Sequence, residues 1–84
     1  MPVKIEIFKS SDCPYCDPTI EFVKSVVKEL RNETEIEIID VSEQPSKVSK
    51  YGIYAVPTVA INGTVEFVGR PDKKSLIEAI NSKI

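Results

Sequence analysis

Cys13 and Cys16 are the residues best suited to do chemistry in this chain of 84 residues. A thiol becomes a nucleophile as its thiolate, and two thiols can exchange with a disulfide by forming a bond between themselves. The pair stands only three positions apart. A bond between them would close almost no loop and, by the chain-entropy argument, would add little stability. If that bond matters, it matters for chemistry. The chain contains no histidine, which excludes histidine acid–base catalysis and mixed Cys/His zinc sites.

Cys13-Pro14-Tyr15-Cys16 lies where a predicted strand gives way to a predicted helix. Pro14 fits the first helical position, where its missing N–H costs nothing. That places Cys13 at the N-cap and Cys16 one turn inside. The first turn of a helix offers unpaired N–H groups and the positive end of the dipole. The Cys13 thiol is therefore expected to ionise well below the free value of about 8.5. Cys16 faces back into the helix and should be more buried. It suits the second step, attack on the mixed disulfide to release the reduced substrate. Asp12 and Asp17 oppose ionisation of Cys13 somewhat and would repel acidic substrates. Two other readings of the pair stay open. A dimer could share one zinc ion between two such pairs. A copper metallochaperone also carries C-x-x-C after its first strand, but that fold closes with a strand, whereas the last predicted element here is a helix.

The elements that must hold the pair are legible in the apolar pattern. Val3, Ile5 and Ile7 alternate with Lys4 and Glu6, which predicts a half-buried strand ending near Phe8. From Pro14 to about Arg31, Ile20, Val23, Val27 and Leu30 repeat at helical spacing, and Phe22 and Val26 widen the stripe. Pro18, in the second turn, should bend this helix. A second strand carries Ile36, Ile38 and Ile39 and runs to Val41. Ser42 is a plausible N-cap for a short helix that tolerates Pro45 in its first turn and stops at Gly52. Residues 58–61 and 64–68 flank Asn62-Gly63, a strong hairpin signal. Asp72 caps a last helix that buries Leu76, Ile77, Ile80 and Ile84. The order is β-α-β-α-β-β-α. A parallel first pair plus the hairpin gives an α/β fold, a four-stranded mixed sheet with helices on both faces. Lys4 and Glu6 fit poorly in a covered central strand and are expected at a sheet end that the short helix leaves open.

The formal net charge of -2 and the absence of a basic stripe give nucleic-acid binding no support. No apolar run approaches the roughly 20 residues that cross a bilayer. Residues 1–8, from Met1 onwards, read as strand and not as a signal peptide. One domain, a monomer and a reducing, cytoplasmic location are expected. There a close cysteine pair is more often catalytic or metal-binding than structural.

With the motif placed, the chain resembles small glutaredoxin-like thioredoxins of the archaeal type. Cys13-Pro14-Tyr15-Cys16 is similar to the glutaredoxin active site. Tyr51-Gly52-Ile53, Val56-Pro57-Thr58 and Val68-Gly69 with Asp72-Lys73 and Leu76 resemble thioredoxin segments. The resemblance spans nearly the whole chain and implies a thioredoxin fold, protein-disulfide reduction, and no metal or bound cofactor. It implies electrons from an NADPH-linked or similar thioredoxin reductase-like protein, with glutathione as the alternative donor. It also implies a cis Pro57 against the cysteines, exposing the Val56 backbone to a strand of a disulfide-containing partner protein. Lys9 matches a basic residue that glutaredoxins place near the thiolate. Tyr15 would pack on substrate or cover its loop. The sequence departs from both families at three places. Ile7 stands where thioredoxins bury a carboxylate, Asp12 where they carry tryptophan, and Gly69-Arg70 where glutaredoxins carry two glycines that glutathione approaches. The Arg70 side chain would occupy that approach, so a reductase protein is expected as the main donor.

Overall fold

The computed structural model describes residues 2–30 and 33–83. The expected helix end at Arg31, the burial of Ile84 and the start of the first strand at Met1 lie outside the described residues. The elements are β1 (Val3–Lys9), α1 (Cys16–Leu30), β2 (Thr34–Asp40), α2 (Pro45–Tyr51), β3 (Thr58–Ile61), β4 (Thr64–Val68) and α3 (Lys73–Asn81). They form a four-stranded sheet in the order β2-β1-β3-β4. β1 runs parallel to β2 and antiparallel to β3, and β3 and β4 form the expected antiparallel hairpin. Asn62 and Gly63 both take positive φ, 50° and 83°, the backbone of the tight turn that matches strand twist.

The two sheet faces are covered differently. Val3, Ile5 and Ile7 of β1 join Val59 and Ile61 of β3 beneath α1 and α3 in the main core. α1 turns Cys16, Thr19, Ile20, Val23 and Val26 inward, so Val26 lies deeper than Val27, which packs at the margin. The opposite face holds Phe8, Ile39 and Ala60, with Tyr51 of α2 and Ile53 and Val56 beyond it.

Three local expectations change. α1 begins at Cys16 and not at Pro14. Pro18 has no N–H for the Pro14 carbonyl, so the ladder opens with Thr19 N–H donating to the Tyr15 carbonyl (3.2 Å). Pro18 thus falls in the first turn, where an N–H is not needed, and delays the helix instead of interrupting it. Ser42 is not the cap of α2. Its N–H and hydroxyl both bind Asp40 Oδ1, and Gln44 precedes Pro45 at the helix start without a side-chain capping bond. Lys4 is exposed as expected, but Glu6 is only 3% exposed, because α2 covers it and brings two partners, described below. Asp72 does cap α3, its carboxylate accepting from Ser75 N–H at 3.1 Å.

Candidate active site

The cysteines stand where β1 hands over to α1. Cys13 N–H donates to the Ser10 carbonyl (3.3 Å), and Cys16 N–H reaches back to the Cys13 carbonyl (3.5 Å). Cys13 therefore opens a tight turn ahead of the helix and is not the N-cap itself. Its sulfur nevertheless stays at the helix start, because it is joined in a disulfide to Cys16, the first helical residue. The two Cα atoms are 5.4 Å apart. Cys16 is 1% exposed, whereas Cys13 is half-buried. Cys13 is thus the more accessible residue of the pair, and Cys16 is packed against the core. That asymmetry is what a two-step exchange requires.

The second wall of the site comes from a distant part of the chain. The Val56-Pro57 peptide bond is cis. Pro57 is buried and leads into β3, a central strand and not an edge. Two bonds fix this corner. Thr58 hydroxyl donates to the Ala55 carbonyl at 2.6 Å, and Gly69 N–H donates to the Pro57 carbonyl at 2.7 Å. Gly69 has φ of 90°, a backbone that strains any residue with a Cβ, although a Cβ there would meet nothing within 4 Å. Val56 lies outside the β1–β3 ladder.

A groove of about 370 Å³ brings together Tyr15, Val56, Pro57, Gly69 and Arg70, with Pro18 and Thr19 of α1. Tyr15 is 73% exposed and lines this groove. Arg70 lies over the Phe22 ring, its guanidinium carbon 4.4 Å from the ring centre. Lys9 does not line the groove. Its ammonium sits 3.6 Å from Asp17 Oδ1, so it offsets one of the two carboxylates flanking the cysteines. A second hollow of about 220 Å³ shares Val56 as a wall and is otherwise lined by Val41, Val48, Ile53, Tyr54 and Ala55.

Sequence reasoning missed the polar cluster behind this wall. Glu6 Oε2 accepts from Lys47 Nζ (2.9 Å) and Glu6 Oε1 from the Tyr51 hydroxyl (2.8 Å). Lys47 also reaches Glu37 Oε1 at 3.5 Å, the residue beside Glu6 on β2. The hydrogen bond to Glu6 raises the Lys47 pKa, and the same carboxylate raises that of Tyr51. The Lys4 ammonium, 3.2 Å away, holds Glu37 below the usual carboxylate range. A signal was present in the sequence: Lys47 and Tyr51 are four apart, hence on one helix face, opposite a charged residue in a central strand.

Among the described residues no group of three or more His, Cys, Asp or Glu is placed to hold a metal ion, and no helix is long and apolar enough to cross a membrane.

The chain is similar to known proteins over nearly its whole length. Residues 3–81 match the thioredoxin domain family. A thioredoxin of Methanocaldococcus jannaschii is 48% identical over 98% of this chain and 96% of its own length. A probable thioredoxin of Methanothermobacter thermautotrophicus is 45% identical over 100% of this chain and 99% of its own. A thioredoxin of Rickettsia bellii is 33% identical over 100% of this chain and 83% of its own.

Proposed function

The chain belongs to the thioredoxin domain family, and from that premise we propose that it reduces protein disulfides with Cys13 as the attacking sulfur and Cys16 as the resolving one. The observation that carries this assignment is the unequal exposure of two bonded cysteines at one helix start. In the reduced protein the Cys13 thiolate attacks one sulfur of a partner disulfide. The other partner sulfur leaves as a thiolate and takes up a proton. Cys16 then loses its proton and attacks the Cys13 sulfur, expelling the second partner thiolate. The partner gains two electrons and two protons, and Cys13–Cys16 ends as the disulfide.

Pro14, Tyr15 and Pro57 support this chemistry by shaping the turn and the groove. Val56 offers backbone to an extended partner segment, Gly69 and Arg70 border it, and Lys9 offsets local negative charge. No bound cofactor is needed, because two sulfurs carry the electrons. The protein acts as a single-domain monomer in the cytoplasm, and a reductase protein, NADPH-linked or similar, restores the dithiol. Arg70 supports that choice of donor over glutathione: spread over Phe22, it borders the groove beside Gly69, where a tripeptide backbone would need room.

Insulin reduction should proceed with a thioredoxin reductase and stay slow with glutathione and glutathione reductase. Efficient turnover of a glutathione mixed disulfide by the glutathione system would overturn the donor assignment. Increased activity of Arg70→Gly in that system would identify the side chain as the obstacle.

A further inference from the structure

α2 forms the wall behind Val56, yet none of its residues is fully buried. An amphipathic helix normally holds its place by an apolar face. Here the strongest ties from α2 to the sheet are polar. Lys47 and Tyr51 both end on the Glu6 carboxylate, at 2.9 and 2.8 Å, and the Tyr51 ring meets Phe8 edge-on with centroids 5.5 Å apart. Glu6 and Phe8 belong to β1, the strand that leads to the cysteines.

Tyr51 is also the last residue of α2, and the chain beyond it is tightly closed. Gly52, with φ of 65°, donates its N–H to the Ser49 carbonyl. Ile53 N–H donates to the Val48 carbonyl at 3.0 Å. The helix end and residues up to Ile53 therefore move together. Three residues later the chain reaches Val56.

We propose that Glu6 is a positioning residue for partner docking: through the Tyr51 hydroxyl it fixes the end of α2, and so adds to the bonds at Thr58 and Gly69 in placing the Val56 backbone relative to Cys13. Glu6 faces α2 while Ile7 faces α1, so its carboxylate lies on the opposite side of the sheet from Cys16. It acts on the docking wall, not on either thiol. This inference rests on the reading that disulfide partners dock beside Val56.

The test compares Tyr51→Phe and Glu6→Gln with the unaltered protein. Tyr51→Phe keeps the ring against Phe8 and deletes only the hydroxyl, so it carries the test if Glu6→Gln fails to fold. Losing a hydrogen bond to a charged group should speed amide hydrogen exchange at Ile53 roughly tenfold relative to Val59 of the central strand. KM for insulin should rise while kcat holds, and iodoacetamide should alkylate Cys13 at an unchanged rate. A role confined to overall stability would speed exchange at Ile53 and Val59 alike and leave KM unchanged in the folded variants, which would overturn the proposal. A changed Cys13 alkylation rate would also overturn it, by moving the effect to the thiols. If the unaltered protein fails to reduce insulin, the functional reading fails, and the Ile53 rate alone decides whether Glu6 holds the wall.

Discussion

One face of the sheet is closed by hydrocarbon alone, and the other by a smaller apolar cluster with a buried charge inside it. Under α1 and α3, Ile5, Ile7, Val23, Val59, Leu76 and Ile80 are all fully buried, and their close packing leaves few alternative arrangements. Under α2, the carboxylate of Glu6 sits beside Phe8, Ile39 and Ala60, and a lysine and a tyrosine complete it. The first face carries the cysteines, since α1 begins at Cys16. The second carries the backbone that a partner would meet. The pairing separates two demands. Sulfur chemistry needs a fixed geometry, and apolar packing supplies it. A docking wall needs a fixed position on a helix too short to bury a wide stripe, and two directional hydrogen bonds supply that.

The apolar face should break hardest. Leu76→Ala removes a fully buried side chain, and a cavity of that kind costs about 2–5 kcal/mol. In a domain this small, urea unfolding should show a large drop in midpoint. A loss under 1 kcal/mol would mean that α3 is less important to the core than its burial implies.

The polar face should break more gently. Glu6→Gln keeps the shape but removes the charge, and hydrogen bonds to charged groups contribute about 1.5–3 kcal/mol. Lys47 is partly exposed and can turn to water, which limits the penalty. Urea unfolding should place this variant between Leu76→Ala and the unaltered protein.

pH should separate the faces further. Lys47 and Tyr51 both have raised pKa values because of their hydrogen bonds to Glu6. The folded state therefore holds their protons more tightly than the unfolded chain does. Their contribution is complete below the unfolded values, about 10, and is lost as pH rises through the folded ones. Melting temperature should fall on the alkaline side with a shallower slope in Tyr51→Phe. An identical slope would show that tyrosine ionisation is not linked to this face.

The smallest effect is expected at the α3 cap. Ser75 N–H holds the Asp72 carboxyl below the usual range. A lowered folded pKa gives stability that is present above the unfolded value and disappears as pH falls through the folded one. Asp72→Asn keeps a capping oxygen and should flatten that acid dependence while lowering the melting temperature at neutral pH only slightly. A large drop would assign Asp72 a role beyond capping.

Much of this was legible because local and global signals agreed. Asn62-Gly63 specifies its own turn, and the alternation of Val3, Ile5 and Ile7 specifies one buried face. The cysteine spacing placed the redox pair, and the family resemblance led to Val56-Pro57. What was not legible depended on meetings between distant residues. Glu6 reads as a misfit in a central strand until Lys47 and Tyr51 arrive from 41 and 45 positions away. Ser42 has the right side chain for a cap, but Asp40, two residues back, binds it first. Pro14 has the right place for a helix start, but Pro18 withholds the N–H that would complete that turn.

The central claim, that Cys13 attacks and Cys16 resolves, is tested most directly by trapping. Cys16→Ser and Cys13→Ser are each incubated reduced with insulin, quenched with acid and mapped by mass spectrometry without reductant. Cys16→Ser should accumulate a mixed disulfide through Cys13, because the attack proceeds and the second step has no sulfur. Cys13→Ser should accumulate none, because Cys16 is buried against the core. Equal trapping by the two variants, or trapping through Cys16 alone, would contradict the account.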